Sequence, residues 1–260
     1  MTDDIPIARR ELIAGRLAAG QAVVAATLAA EFGVSEDAIR RDLRALAAQG
    51  HCRRVYGGAL PISPASAPMA ARMDEARERK AALARIAAAQ VSRGEFLFLD
   101  SGSTNLALAG ILPEDYELTV ATNSVDIAAV LLRRADVRLI MVGGAVDPVV
   151  GGSIDAAAVA SVLNMNVDCC FLGACAVSPR EGVSAFEFAD ASFKRAVLAR
   201  SRRTLILSTT DKLDARASHR VAAVEAIECV IVEHDASRAQ IAALTKAGTT
   251  VLQAERPAAG

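Results

Sequence analysis

The chain lacks an excess of charge of either sign: 29 Lys and Arg stand against 30 Asp and Glu over 260 residues, a formal net charge of −1. The molecule as a whole therefore has no bias towards nucleic acid or membrane surfaces, and any such bias must be local. No segment reaches the roughly 18 consecutive apolar residues of a membrane-spanning helix, so no membrane partner is expected. The opening stretch MTDDIPIARRELIAGRL puts acids first and lacks an apolar core followed by a cleavage site, which argues against a secretion signal. There is no C-x-x-C pair. The five cysteines (Cys52, Cys169, Cys170, Cys175 and Cys229) include an adjacent pair that does not suit a disulfide. His51, His219 and His234 show no ligand spacing. The expectation is free thiols in the reducing cytoplasm, with no metal and no cofactor. Internal repeats and the G-x-S-x-G nucleophile elbow are also absent.

What is present is apolar: 53% of the residues, many of them alanine, which favours helix but adds little burial per residue. The length fits one small and one large domain. Residues 59–72, ALPISPASAPMAAR, hold three of the eight prolines and read as a linker. This gives a first domain over 1–58 and a second over 73–260. The pattern after the linker predicts an amphipathic helix from Met73 to Val91. Beyond residue 95, near-continuous apolar runs (EFLFLD, ELTVATN, VRLIMVGG, VDCCFLGACAV, RTLILSTTD, CVIVEH, TTVLQA) alternate with helical patterns such as TNLALAGIL, SVDIAAVLLRRA, DAAAVASVLNMN and FADASFKRAVLARS. That alternation predicts an α/β domain with a mostly parallel sheet covered on both faces.

In the first domain, two helical patterns meet at Gly33, where a sharp turn needs a left-handed residue, and Val34 can plug the angle. Ser35 is a good N-cap, with Glu36 and Asp37 favourable in the first turn. Ile39, Leu43 and Leu46 share one face of the second helix. Residues 38–58 carry five arginines (Arg40, Arg41, Arg44, Arg53, Arg54) against one acid, Asp42, so the local basic bias lies here. The arginine fork matches phosphate oxygens and the guanine edge in the major groove. HCRRVYGGAL suits a hairpin turning at Gly57 and Gly58. The candidate DNA contacts are Ser35, Glu36, Asp37, Arg40, Arg41, Arg44, Arg53 and Arg54. A plain helical hairpin with a solvated arginine face is the competing reading.

In the second domain, polar or glycine loops follow four strands: DSGST at 100–104, TNS at 122–124, GGA at 143–145 and STTDK at 208–212. Ligands of parallel sheets bind outside the strands' carboxyl ends. Gly102 allows close backbone approach, Ser103 and Thr104 offer hydroxyls, and the following helix offers N–H groups, so a phosphate is the natural guest. Lys212 adds a positive charge, and Asp100, an acceptor only, would face a sugar hydroxyl. Each loop taken alone is equally a helix cap.

VSEDAIRRDLRALAAQGHCRRVYGGA resembles the winged helix-turn-helix of the DeoR family of bacterial transcription regulators, whose pattern is V-S-x-x-T-I-R-R-D-L followed by a G-G-A wing. Ala38 stands where the family has threonine. FLFLDSGST, TVATNS, MVGG, FLGACAV and STTDK are similar to blocks of that family's sensor domain, which shares the broad fold of ribose-5-phosphate isomerase, glucosamine-6-phosphate deaminase and the CoA transferases. The resemblance implies that Asp100, Gly102, Ser103, Thr104, Thr122, Asn123, Gly143, Gly144 and Lys212 contact the effector, and that Asp190 replaces a family glutamate before Lys194. It further implies a repressor of a carbohydrate-metabolism operon, acting as a homodimer or homotetramer on a double-stranded operator under control of a phosphorylated sugar. An isomerase or deaminase of the same fold is the alternative. It needs a carboxylate base, for which Asp100, Glu187 and Asp190 are the candidates, and none is well placed in the sequence. A sensor that only oligomerises is a third reading.

Overall fold

A computed structural model describes residues 4–18, 21, 23–48, 52–61 and 67–256. The chain divides into two compact units, Met1–Pro64 and Ala65–Gly260.

The smaller unit runs α1 (Asp4–Ala18), β1 (Val23–Val24), α2 (Ala25–Phe32), α3 (Glu36–Ala48), β2 (Cys52–Val55) and β3 (Gly58–Pro61). Leu28 and Ala29 on α2, and Ile39, Leu43 and Leu46 on α3, bury the predicted apolar stripes together with Ile13 and Leu17 of α1. Gly33 closes α2 in the left-handed conformation, φ 64°. Ser35 Oγ accepts from Ala38 N–H (3.3 Å), the expected cap. The strands form an antiparallel sheet of order β1-β3-β2. Only Gly57 lies in the hairpin turn. Gly58 pairs with Val24, and a Cβ there would fall 2.1 Å from the Val23 carbonyl oxygen. Its requirement is the close approach of β1, a strand the helical pattern had absorbed.

The larger unit contains α4 (Met69–Asp74), α5 (Arg77–Ala88), β4 (Phe96–Leu99), α6 (Ser103–Ala109), β5 (Thr119–Thr122), α7 (Val125–Leu131), β6 (Arg138–Met141), β7 (Val146–Asp147), β8 (Gly152–Ser153), α8 (Ala156–Leu163), β9 (Val167–Phe171), β10 (Ala176–Ser178), β11 (Gly182–Ala185), α9 (Phe188–Ala199), β12 (Ser201–Ser208), β13 (His219–Ala222), β14 (Cys229–Val232), α10 (Arg238–Lys246) and β15 (Thr250–Gln253). The seven strand-like runs of the sequence supply the seven strands of one parallel sheet, order β15-β14-β12-β9-β4-β5-β6. Successive side chains alternate between faces. Leu97, Leu99, Cys169, Phe171, Leu205 and Leu207 pack with α5, α6 and α7, while Phe98, Cys170, Ile206 and Val230 pack with α8 and α9 on the other face. Strand order reverses between β4 and β9, which makes their carboxyl ends the crevice where such sheets take ligands.

Three local expectations change. The linker drawn over 59–72 is shorter at both ends: Ala59–Pro61 belong to β3, and Met69–Arg72 to α4. Proline is tolerated in β3 because Pro61 lies past the reach of β1, which pairs only Val23 and Val24. Residues 62–66 of that stretch lie outside the described residues. The single helix drawn from Met73 to Val91 is two, because Ala76 adopts φ 49°, ψ 40° and breaks the run between α4 and α5. The apolar run at 167–177 is also two strands: β9 ends at Phe171, and β10 joins β11 and β13 in a separate three-stranded antiparallel sheet.

Candidate functional site

On the smaller unit, Arg41, Arg44 and Arg54 are exposed, and none of them makes a hydrogen bond or ion pair among the described residues. Arg40 is also exposed but is tied along its own helix to Glu36 (2.8 Å) and Asp37 (3.4 Å), which cancels part of its charge. Ser35 is the cap already described. The side chain of Arg53 and all of His51 lie outside the described residues. Tyr56, at the hairpin turn, is fully exposed beside Arg54 and Val55, a residue the charge count missed because it carries none. Asp42 faces inward: Arg9 Nη2 lies 2.6 Å and Arg10 Nε 3.3 Å from its two oxygens, and Arg9 and Asp42 are both buried. The one acid in the basic stretch thus fastens α1 to α3 and takes no part in the exposed face.

At the reversal between β4 and β9, Asp100 is held by partners within the protein. It is fully buried. Its Oδ1 accepts from Ser101 N–H (2.9 Å), and its Oδ2 accepts from Gly173 N–H (2.9 Å) and pairs with Lys194 Nζ (2.9 Å). Lys194 also pairs with Asp190 Oδ1 at 2.5 Å, so the shorter carboxylate keeps its contact. Burial pushes Asp100 upward from the ordinary carboxylate value, against the pull of Lys194. Burial alone would lower Lys194, but Asp100 and Asp190 outweigh it and hold the ammonium above its ordinary value. Both oxygens of Asp100 are buried and engaged within the protein. Thr122 and Asn123 are spent in the same way: Thr122 Oγ1 donates to Leu99 O (2.6 Å), and Asn123 joins Ser101 N–H (3.0 Å) to Ser153 O (3.2 Å). These three residues shape the crevice from below.

Other groups remain available. Ser101 Oγ and Thr104 Oγ1 are buried without a hydrogen-bond partner, in residues each 5% exposed. Ser103 is buried beside them, and a Cβ built on Gly102 or Gly143 meets open space. Gly144 is closely backed by Asp155, whose Oδ2 accepts from Ala145 N–H (2.8 Å). At the end of β12, Thr210 N–H donates to the buried Glu233 (2.6 Å), which holds the turn carrying Lys212. Burial pulls Lys212 below its ordinary value, with Arg72 adding to the fall against Cys175, Asp211 and Glu233. Lys80 is lowered first by burial and then by Lys212 and Arg72. Burial also lowers Arg72, whose Nε is buried and unpartnered. Arg72 and Lys80 were missed because both sat in what read as linker and amphipathic helix.

Arg72, Lys80 and Lys212 are three desolvated cations, and Ser101 and Thr104 carry two buried, unpartnered hydroxyls in the loop after β4. None of the three carboxylates considered as a general base is poised beside these groups. Proton abstraction needs a base with a free lone pair at the substrate carbon. Asp100 and Asp190 are locked on Lys194, Glu187 is exposed at the start of α9, and the Cys175 thiol is pushed up by burial. Among the described residues no group of His, Cys, Asp and Glu is arranged to hold a metal, and no helix is long and apolar enough to cross a membrane.

Residues 9–65 match the DeoR-like helix-turn-helix domain, and residues 75–234 match the DeoR C terminal sensor domain. The glycerol-3-phosphate regulon repressor of Escherichia coli (strain K12) is 30% identical over 207 residues, covering 79% of this chain and 82% of that protein. The HTH-type transcriptional regulator GolR of Listeria innocua is 27% identical over 259 residues, 96% of this chain and 99% of that one. Among solved structures, ribose 5-phosphate isomerase A from Methanocaldococcus jannaschii overlaps 52% of this chain and 54% of its own, at 15% identity and a TM-score of 0.38.

Proposed function

The chain belongs to the DeoR family of transcriptional regulators, and from that premise we propose that it represses a carbohydrate-metabolism operon under control of a phosphorylated sugar or polyol bound at the strand-end crevice. The observation that carries this reading is the pair of buried, unpartnered hydroxyls of Ser101 and Thr104 in the loop over which Gly102 leaves open space. A buried hydroxyl without a partner carries a desolvation cost that a bound oxyanion removes. The cationic group of Arg72, Lys80 and Lys212 supplies the complementary charge. Asp100, Thr122 and Asn123 then act as the floor, and Gly102, Ser103, Thr104, Gly143, Gly144 and Lys212 as the walls.

On the smaller unit, α3 enters the major groove with Arg41 and Arg44 free to reach phosphate or base, and Arg40 is released from Glu36 and Asp37 when phosphate competes. The wing carries Arg53, Arg54 and Tyr56 along the backbone. The working particle is a homodimer or homotetramer in the cytoplasm, presenting two recognition helices to half-sites about one helical turn apart or a multiple of that. Free thiols at all five cysteines suit that reducing compartment.

The test is a melting curve of the full chain against a panel of sugar and polyol phosphates, followed by gel shifts of the upstream DNA with any compound that raises the melting temperature. At a hundredfold excess over Kd the ligand adds about 2.7 kcal/mol. A compound that stabilises the protein, is recovered chemically unchanged and releases the DNA is the expected result. Turnover of a sugar phosphate without DNA binding would overturn the reading.

A further inference from the structure

α4 is the first element of the larger unit. The wing strand β3 ends at Pro61 and α4 begins at Met69, so no other part of the sensor stands nearer in sequence to the DNA-reading unit. Its seat is well made at one end. Met69 is buried, its N–H donates to Val149 O (3.1 Å), and its side chain fills the space where a Cβ on Gly151 would fall, 2.6 Å away. Arg72 Nη2 donates to the same Val149 carbonyl (3.1 Å), and α4 packs against α6, the helix that follows the Asp100–Gly102 loop.

The other end is held differently. Lys80 Nζ, from α5, donates to the Arg72 carbonyl across the break between the two helices. At that break stands Ala76 in the left-handed region, which a residue with a Cβ adopts at a cost. Arg72, Lys80 and Lys212 lie near enough to repel one another, and among the described residues none of the three makes an ion pair. Glu75, Asp211 and Asp190 soften the repulsion from further off. Arg72 Nε is buried and unpartnered. A helix is therefore pinned over the crevice through a cluster of like charges, beside a strained joint.

We propose that α4 is the roof of the effector site and the relay of its occupancy: a phosphoryl group bridging Arg72, Lys80 and Lys212 fixes α4 on the sensor, and the empty site lets it lift about Ala76. This rests on the anion site proposed above and adds its coupling to DNA. Lifting frees residues 69–76, up to about 28 Å of extra reach at roughly 3.5 Å per residue. Seating or freeing α4 therefore changes the length of the tether between the sensor and the DNA-reading unit.

Hydrogen exchange of the full chain tests this, with inorganic phosphate and glycerol 3-phosphate as probes against chloride buffer. Either probe is expected to slow exchange at least tenfold both in residues 69–76 and in the 101–104 and 210–212 loops. Arg72→Gln should abolish the slowing at 69–76 and weaken phosphate binding at least tenfold, with exchange in β4 and β9 unchanged as the check on folding. Arg72→Lys should recover part of the affinity. Slowing confined to the two loops would overturn the relay and leave the anion site standing. No slowing anywhere with either probe would overturn both. An Arg72→Gln chain that binds phosphate as well as the parent would overturn the role of Arg72.

Discussion

Replacing Asp42 with asparagine should destabilise the smaller unit, and so weaken DNA binding, without touching a DNA contact. Asp42 lies among the five arginines of residues 38–58, where loss of an acid would be expected to help a nucleic-acid surface. Instead, both of its oxygens are engaged: Oδ2 by Arg9 at 2.6 Å and Oδ1 by Arg10 at 3.3 Å, with only 10% and 8% of the Arg9 and Asp42 side chains exposed. Asparagine keeps the shape and removes the charge, leaving the Arg9 guanidinium buried without its counterion. Breaking a buried pair from one side costs about 3–5 kcal/mol. The Arg10 contact adds little, because more than a third of that side chain is in solvent. At roughly 0.05–0.15 kcal/mol per residue, a unit of this size is stable by about 3–10 kcal/mol, so the change removes between a third and all of it. With about 4–8 °C per kcal/mol for so small a domain, its melting point should fall by at least about 12 °C while the larger unit melts as before. Calorimetry, with trypsin digestion to identify which unit opens, reads this directly. Arg40→Ala is the control: its charge is half-exposed and paired only along α3, so stability should stay within about 0.5 kcal/mol. An Asp42→Asn chain that melts within about 4 °C of the parent and still shifts DNA would refute the assignment of Asp42 as an internal tie.

Lys194→Met should destabilise the larger unit by about 3–5 kcal/mol, since Asp100 and Asp190 then share the reversal crevice with no cation; a thermal melt in which only the smaller unit is affected would contradict this. Arg41→Ala and Arg44→Ala should leave the melt unchanged and weaken DNA binding, each reducing the slope of log K against log salt by about 0.9 where the lost contact is to phosphate, as anisotropy titrations at several salt concentrations would record. Tyr56→Ala should weaken binding with no change in that slope, because it removes no charge. Lys80 titrates below its ordinary value in the folded chain, where it is buried and faces Lys212, Arg72, Glu75 and Asp211. The unfolded chain therefore binds more protons in that window, and the contribution of Lys80 to stability grows as pH rises towards the ordinary lysine range. Over the same window phosphate affinity should fall, and Lys80→Met should flatten both trends; melts and titrations between neutral pH and pH 10 would show whether it does.

The inner strands of the parallel sheet were legible because a strand buried on both faces is apolar along most of its length, and such runs are short and bounded by glycine or polar loops. The recognition unit was legible for a similar reason, since a left-handed turn at Gly33, a cap at Ser35 and a stripe at Ile39, Leu43 and Leu46 are local demands. What the sequence concealed was tertiary. An aspartate that closes an ion pair inside a protein is written with the same letter as one in solvent, so Asp42 and Asp100 gave no sign of being internal. Ala76 gave none either, because alanine is the strongest helix former, and only the tie from Lys80 to the Arg72 carbonyl and the seat of Met69 show why the helix is interrupted there. The loops after the strands were legible from their glycines and hydroxyls, whereas the tertiary partners of Asp100, Thr122 and Asn123, and the approach of Arg72 and Lys80 to Lys212, were not.

Gly173 sits where a methyl group would lie 2.6 Å from the Ser101 carbonyl oxygen and 3.0 Å from Asp100 Oδ2, whereas Gly102 and Gly143 border empty space. If the crevice takes the proposed effector, its shape can be varied at Gly102 and Gly143 and not at Gly173. A designer seeking a response to a smaller or differently branched metabolite has free positions at Gly102 and Gly143, while any side chain at Gly173 would displace the carboxylate that anchors Lys194, and the sheet would lose its keystone before the ligand preference changed.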